Sequence, residues 1–225
     1  MCGRYTLTVD PADLREAFPG LTFPEDMASR FNIAPSQPVA VVANNGKNAV
    51  EFFKWGLVPS WAKDLSIGNR MINARGETLA DKPSFRAAYR RRRCLVLADG
   101  FYEWKAEPGQ KSKTPMLIKL KSGEPFAFAG LWEVWHPDQE DRLLSCTIIT
   151  TTPNALMEKI HDRMPVILPA KAYDLWLDPA EHTPDALCVL DKLLKPYPAT
   201  PMTAFPVSRA VNDPKNDSVE CVQPA

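Results

Sequence analysis

The chain has 225 residues, and 27 Lys and Arg balance 27 Asp and Glu, so its formal net charge is zero. This length allows a sizeable core, and a hydrophobic share of 45% with a charged share of 24% excludes wholesale disorder. No apolar run approaches the ~18–20 residues of a membrane span, and the N-terminus lacks the pattern of a secretory signal. Because the net charge is zero, any nucleic-acid binding must come from a local patch.

Cysteine and histidine are too scattered to form a disulfide or metal framework. The five cysteines are an odd number, and no two of them form a Cys-x-x-Cys pair. The three histidines do not stand at metal-ligand spacing with cysteines or carboxylates. We therefore expect no metal, no cofactor and a reducing, cytoplasmic compartment.

Turn and capping signals divide the chain into many short elements. Asp10-Pro11 has the pattern of an N-cap followed by proline at the first helical position, and Asn45-Gly46 is a strong hairpin signal. Asp99-Gly100 predicts a tight turn between two strands. In chain order, we predict strands at Arg4–Thr8, Pro38–Ala43, Ala49–Trp55, Cys94–Ala98, Phe101–Lys105, Pro115–Leu120, Phe126–Val134 and Leu143–Thr150. The predicted helices are Pro11–Phe18, Arg75–Ala80, Pro83–Arg92, Pro153–Ile160, Ala170–Leu177 and Pro184–Leu194.

The 22 prolines, about twice the average share, are spread along the chain without a linker or an internal repeat. Short strands interleaved with short helices favour an α+β fold. We expect a single domain over residues 1–225. It is predicted to contain a curled, barrel-like and mostly antiparallel β-sheet flanked by short helices.

Cys2 directly follows the initiator methionine. Cells usually trim a leading Met before a small residue, which would leave Cys2 with a free α-amine beside its thiol. That amine has an unperturbed pKa of ~7.7–8, so a fraction is neutral near pH 7 and can attack an aldehyde. The thiol can then close a thiazolidine ring. The commonest role of a free cysteine is a small buried hydrophobic residue, and position alone leaves both roles open.

His161 and Glu103 are candidates for proton transfer. His161 follows a predicted helix, and imidazole is the side chain best suited to move protons near neutral pH. Glu103 stands between aromatic residues on a predicted strand, where desolvation would raise its pKa. The ordinary alternatives are a capping or core histidine and a glutamate on an edge strand.

Basic residues and one loop are candidates for binding an anion. The segment Asn73-Ala-Arg-Gly-Glu combines an amide, a guanidinium and a glycine, although most such loops only form turns. The run Arg90–Arg93 has the pattern of a solvated helix end. Part of it could still join other arginines in a surface that attracts phosphates, namely Arg4, Arg75 and Arg163.

Trp55, Pro59 and Trp61 share one short motif. Tryptophans in such a motif are most often core residues. An exposed tryptophan beside proline would instead offer a platform on which unpaired bases stack.

The order of the motifs is more specific than any one of them. They are Met1–Tyr5, Asn32–Pro35, Trp55–Trp61, Asn73–Thr78, Arg93–Trp104, Ala129–Glu133, Thr151–Asn154, His161–Pro165 and Val207–Asn212. Together they closely resemble the SOS response-associated peptidase family, also called abasic-site processing proteins. The resemblance extends from residue 1 to about residue 222. Gly76 stands where relatives more often carry Ala or Ser, which is a small departure.

The resemblance implies a protein that binds single-stranded DNA and crosslinks covalently to abasic sites, shielding them during the DNA damage response. Carried over by motif, Cys2 is the nucleophile, and its active-site partners are Asn73, Glu103 and His161. The implied DNA contacts are Arg4, Arg75 and Arg163 at phosphates, with Pro35 and Trp61 at flanking bases. The chemistry agrees, because an abasic deoxyribose opens to a C1′ aldehyde that an N-terminal aminothiol captures. We expect a monomer that meets such DNA in single strands and at junctions of stalled forks, associated with the nucleoid when bound.

Other activities remain open. Cys2 and His161 could serve a cysteine peptidase as nucleophile and base, with Met1 as the substrate. An imine at C1′ would also permit slow abasic-site lyase activity, and the crosslink could reverse itself with help from Glu103. A non-catalytic single-strand-binding module is the remaining alternative.

Overall fold

The computed structural model describes residues 2–109, 111–136, 139–180 and 182–225. In these ranges the strands are β1 (Tyr5–Leu7), β2 (Arg30–Ile33), β3 (Pro38–Ala43), β4 (Val50–Trp55), β5 (Asn73–Arg75), β6 (Arg93–Ala98), β7 (Gly100–Lys105), β8 (Thr114–Leu120), β9 (Phe126–Trp135), β10 (Leu143–Thr151), β11 (Met164–Pro165), β12 (Ile167–Leu168) and β13 (Met202–Pro206). The α-helices are α1 (Pro11–Ala17), α2 (Arg86–Arg91), α3 (Tyr173–Trp176) and α4 (Pro184–Asp191). No helix within the described ranges is long and apolar enough to cross a membrane.

Five strands close into a barrel. They pair in the order β10-β4-β3-β6-β9, and β9 pairs back onto β10. All of these pairs are antiparallel except β4 with β10, which is parallel. The short strands β5 and β11 add to β10, and β12 adds to β9. The predicted α+β fold with a barrel-like, mostly antiparallel sheet is confirmed.

A second sheet holds the N-terminal strand against the barrel. Its order is β13-β8-β7-β1-β2, and every pair is antiparallel. From β1, the buried ring of Tyr5 meets Trp55 edge-on at 5.3 Å and Phe128 at 5.7 Å between ring centroids. This aromatic contact fixes β1, and with it the first residues of the chain, relative to the barrel.

Asp99-Gly100 does not form the predicted tight turn. β6 ends at Ala98 in the barrel and β7 begins at Gly100 in the second sheet, so the chain passes from one sheet to the other. Asp99 is fully buried and accepts hydrogen bonds from Thr6 Oγ1 at 2.5 Å and from Thr8 N at 2.9 Å. A Cβ atom on Gly100 would lie 2.8 Å from Thr6 Oγ1. The glycine therefore allows two strands to pack closely. The Asp-Gly dipeptide alone does not show whether its glycine has this role or forms a turn.

Arg93 is not part of a solvated helix end. Its side chain is fully buried at the start of β6. The guanidinium donates to the backbone carbonyls of Tyr89, Arg90, Trp176 and Asp178 at 2.5–3.0 Å. These bonds satisfy the buried charge and tie α2 and α3 to the barrel, so Arg93 does not contribute to an anion-binding surface.

The helices are shorter than predicted, although α1 begins as expected after Asp10, which caps it by accepting from Ala12 N at 2.8 Å. In place of the predicted helix at Pro153–Ile160 there is only a 3-10 turn at Met157–Lys159. The helix predicted at Arg75–Ala80 is wrong, because residues 73–75 pair with β10 and a 3-10 turn follows them. Pairing with a distant strand overrides local propensity in this segment.

Candidate active site

Cys2 lies just before β1, and its side chain is fully buried against the barrel core. Its backbone carbonyl accepts a hydrogen bond from Asn73 Nδ2 at 2.7 Å. Burial, reinforced by the charge of Glu103, raises the pKa of the Cys2 thiol well above its ordinary value. The thiol is therefore protonated at neutral pH.

Asn73 reaches Cys2 from the edge of the barrel. It begins β5, where it pairs with Ile148 of β10. Its Nδ2 donates to Cys2, while its buried Oδ1 has no hydrogen-bond partner among the described residues. A buried amide oxygen in this position can accept a hydrogen bond from a ligand that enters the site.

Glu103 lies on β7, next to β1. Tyr5 pairs with Phe101, and continuing this register places Gly3 opposite Glu103. The side chain of Glu103 is nearly inaccessible to solvent, and this burial raises its pKa to about 7. Near neutral pH the carboxyl group can therefore both accept and donate a proton.

His161 faces the same carboxyl from the loop after the Met157–Lys159 turn, with its Nε2 at 3.8 Å from Glu103 Oε2. Its Nδ1 accepts the Arg163 backbone N–H at 3.1 Å, which assigns the proton of the neutral ring to Nε2, on the side of Glu103. Burial lowers the pKa of His161, so the neutral ring is favoured. Exposed Asp162, with an oxygen 2.9 Å from Nδ1, stabilises the imidazolium whenever it forms.

Four separate segments supply this site. Cys2 belongs to the segment that leads into β1, Glu103 to the second sheet, Asn73 to an added strand of the barrel and His161 to a loop. The structure thus brings together all four residues that the motifs single out. Within the described ranges, no group of three or more His, Cys, Asp or Glu side chains is arranged to hold a metal ion. The arrangement is a Glu–His pair beside the buried thiol of Cys2.

Arg4 is anchored by residues that the sequence analysis missed. Its Nη1 donates to Asn32 Oδ1 at 2.7 Å and to the Val211 carbonyl at 2.8 Å, and its guanidinium carbon lies 5.7 Å from the centre of the Trp104 ring. Its buried Nε has no hydrogen-bond partner among the described residues. Asn32 and Trp104 both belong to the recognised motifs, but motif order does not show that they meet around Arg4.

Arg75 and Arg163 border the same residue of β10. Arg75 is exposed and pairs with Thr150 along β5, while Arg163 Nη2 donates to the Thr150 carbonyl at 2.8 Å. Arg163 also forms a bidentate ion pair with Glu77, with N–O distances of 2.7 and 2.9 Å. Glu77 was not predicted as a functional residue, although it lies in the Asn73–Thr78 motif. It orients a guanidinium beside the His161 loop.

Trp61 is 59% exposed, whereas Trp55 of the same motif is fully buried in the core. Pro35 is half-buried and follows β2. Because Tyr5 pairs with Ile33, the chain runs from Ile33 through Pro35 toward the Cys2 end of β1. An exposed indole and a proline near the N-terminal strand fit contacts with unstacked bases.

The fold and site define a class of protein, a closed β-barrel with a second-position cysteine beside a Glu–His pair. A family model described as SOS response associated peptidase (SRAP) matches residues 1–214, and the chain belongs to this family. The "Abasic site processing protein YoqW" of Bacillus subtilis is 50% identical, with 99% of both chains covered. The "Abasic site processing protein HMCES" of Rattus norvegicus is 33% identical over 94% of this chain and 69% of its own length. A crystal structure of a protein from Bacteroides thetaiotaomicron matches with a TM-score of 0.86 at 25% identity, covering both chains fully.

Proposed function

We propose that this protein processes abasic sites in single-stranded DNA by capturing their C1′ aldehyde on Cys2. Relatives of the same family carry abasic site processing in their names. The observation that carries the proposal is the position of Cys2, held through its carbonyl by Asn73 and facing Glu103, which itself faces His161. Removal of Met1 is required, because it frees the α-amine of Cys2.

The proposed capture proceeds in two bond-forming steps. The Cys2 amine adds to the aldehyde carbon, and loss of one water gives an imine. The thiol then adds to the imine carbon while its proton passes to the nitrogen, which closes a thiazolidine ring. The adduct therefore weighs one water less than protein plus DNA. Because ring closure consumes the imine, we expect β-elimination of the 3′ phosphate, and hence lyase activity, to be slow.

The neighbouring side chains supply protons and orientation. Glu103 accepts a proton from the amine as it attacks, and returns one when the link reverses. His161 presents its Nε2–H to the sugar ring oxygen as the ring opens, and then to the C1′ hydroxyl that leaves as water during dehydration. Asn73 holds the Cys2 carbonyl, and its free Oδ1 accepts from the captured sugar or the new ring nitrogen.

Single strands are favoured because paired bases would obstruct access to C1′ and stacking on exposed Trp61. Arg4, Arg75 and Arg163 supply phosphate contacts, and Pro35 packs against a flanking base. We further propose that residues 1–225 act as one monomeric domain in the cytoplasm. The single domain is supported by Asp217, near the end of the chain, which accepts hydrogen bonds from the backbone N–H groups of Phe31 at 2.6 Å and Asn32 at 2.9 Å, on β2.

A cysteine peptidase acting on Met1 has less support. Such an enzyme needs a thiolate paired with its base, but burial keeps the Cys2 thiol protonated and His161 Nε2 faces Glu103. If the protein were a non-catalytic binding module, the grouping of Cys2, Glu103 and His161 would have no role.

The test is a Cys2→Ala variant mixed with a single-stranded oligonucleotide that carries one abasic site. Alanine is small enough for Met1 trimming to continue, so the variant keeps its amine and loses only the thiol. We expect no adduct on a denaturing gel with the variant alone. Borohydride should trap its imine, while binding to the oligonucleotide stays within about twofold of wild type. A wild-type yield of stable adduct from Cys2→Ala without borohydride would contradict the proposal.

A further inference from the structure

An open groove crosses the outside of the barrel where β3, β4 and β10 meet. It encloses about 490 Å³, and its lining includes Ser36, Pro38, Phe52, Lys54, Arg142 and Leu143. Leu143 begins β10, which runs parallel to β4 with Ser145 beside Lys54. None of the residues assigned to abasic-site capture above lines this groove.

The groove exposes an aromatic side chain on a regular strand. Phe52 is 49% exposed, while its neighbour Phe53 is fully buried. Because side chains alternate along a strand, Phe52 and Lys54 share the outer face of β4, and Phe53 and Trp55 point into the core. A phenylalanine ring beside a cation is the combination on which bases of single-stranded nucleic acid stack.

The charge of the groove is positive. Lys54 and Arg142 line it, and the charge of Arg142 also acts on Glu51, which is ion-paired with Lys47. Glu51 binds Lys47 at 2.9 Å. Partial burial opposes the ionisation of Glu51, but hydrogen bonds from Lys47 and Asn45 and the charges of Lys47 and Arg142 lower its pKa overall. Among these four residues, three cations outweigh one acid, and the net positive charge attracts a phosphate backbone.

One end of the groove lies at the level of the candidate active site. Ser36 N donates to the Trp55 carbonyl at 2.8 Å, and the indole of Trp55 donates to the carbonyl of Ile72, the residue before Asn73. Ser36 adopts a left-handed backbone conformation with φ of 70°, and its hydroxyl binds Asn69 Oδ1 at 3.1 Å. Such a conformation is costly for serine.

We infer that this groove binds the single-stranded DNA that flanks the abasic site, with Phe52 stacked on a base and Lys54 and Arg142 at phosphates. The inference rests on the proposed function, which supplies the DNA. Ala40 pairs with Phe52 across β3 and β4. Ser36 and Phe52 are therefore four strand positions apart, or about 13 Å. That distance equals about four nucleotides at the stacked spacing of ~3.4 Å. Only DNA that extends about four nucleotides or more from the lesion reaches Phe52.

The test measures non-covalent binding by fluorescence anisotropy. The probes are 20-nucleotide and 5-nucleotide strands with a central tetrahydrofuran, an abasic analogue that has no aldehyde. The variants are Phe52→Ala and the double variant Lys54→Ala/Arg142→Ala. The matched controls are Leu175→Ala and Lys171→Ala, which change an exposed apolar side chain and a lysine on a different groove. Thermal unfolding and light scattering verify that each variant is folded and monomeric.

With the 20-nucleotide probe, Phe52→Ala should weaken binding about tenfold. The double variant should reduce the slope of log Kd against log salt concentration by about 1.4, since each lost phosphate contact on a single strand contributes ~0.7. The 5-nucleotide probe should bind all variants alike, and both controls should behave as wild type.

Equal affinity of wild type and Phe52→Ala for the 20-nucleotide probe would overturn the inference. An equal loss of affinity in Leu175→Ala would also overturn it. So would an altered oligomeric state in Phe52→Ala, because that result would identify the groove as a protein interface. Crosslinking to a 5-nucleotide strand with a true abasic site should be unchanged by these substitutions. If wild type formed no crosslink with any strand, the proposed function would fail, while a Phe52-dependent affinity would still support the groove.

Discussion

At the scale of single residues, burial determines which group of Cys2 reacts first. Burial raises the pKa of the Cys2 thiol, so the thiol stays protonated and is a weak nucleophile. An α-amine has an unperturbed pKa of ~7.7–8, so in the proposed capture the amine is the better initial nucleophile. Burial also raises the pKa of Glu103 to about 7, where the carboxyl can take the proton that the amine releases. The order of amine first and thiol second follows from these two shifts.

The same shift makes Glu103 a test of mechanism. As a base, Glu103 must be ionised, so the rate of adduct formation should rise as the pH passes through about 7. In Glu103→Gln the step near pH 7 should disappear and leave only the rise that comes from deprotonation of the amine, while the rate at pH 8 should fall about a hundredfold. Stopped reactions on a denaturing gel between pH 5 and 9 give both profiles. A Glu103→Gln variant with the wild-type profile would remove Glu103 from the mechanism.

Folding stability gives a second readout for Glu103→Gln. A carboxyl group with a higher pKa in the folded state binds more protons there, so its ionisation destabilises the fold. This cost is absent below an ordinary pKa of about 4.5 and complete above about 7. In urea, Glu103→Gln should be more stable than wild type at pH 8, by at most about 3 kcal/mol, and equal to it at pH 4. Glu51→Gln is the opposite control, because the Glu51 pKa is lowered in the folded state.

At the scale of elements, the sequence predicts strands and caps whose signals are local. The N-cap of α1, the β3–β4 hairpin around Gly46 and the long strands β9 and β10 follow from alternation and turn residues. Strands β2 and β13 were missed, because they are short and are stabilised by pairing with the distant strands β1 and β8. Strand β5 was missed for the same reason, although it carries Asn73.

Gly100 tests the close approach of the two sheets. A Cβ atom there would meet Thr6 Oγ1 at 2.8 Å and Leu117 Cδ1 at 3.1 Å, so Gly100→Ala forces β1 and β8 to shift. We expect a loss of about 1–3 kcal/mol in the free energy of unfolding, measured in urea.

Gly76→Ala is the matched control for Gly100→Ala. The nearest atoms to its Cβ would lie at an ordinary 3.4 Å, so its stability should match or slightly exceed that of wild type. If both glycine variants were as stable as wild type, close packing would not explain Gly100.

At the scale of the whole molecule, the site depends on how the barrel and the second sheet meet. Motif order identified Cys2, Asn73, Glu103 and His161, but spacing along the chain does not show that Glu103 and His161 lie 3.8 Å apart. Buried Asp99 fixes β1, which follows Cys2, to the point where β6 passes into β7, which carries Glu103. The ion pair of Arg163 with Glu77 likewise joins residues 86 positions apart. Such contacts depend on how the strands are arranged in space, and the spacing of residues in a single sequence does not reveal that arrangement.

The most direct measurement of the central claim is the intact mass of the purified protein, before and after mixing with single-stranded DNA that carries one abasic site. The account predicts a chain without Met1 that gains the mass of the oligonucleotide minus one water, in an adduct that survives denaturation. A chain that has lost Met1 and still gains no mass would contradict aldehyde capture by Cys2. A chain that retains Met1 and yet forms the adduct would contradict the role of the Cys2 amine.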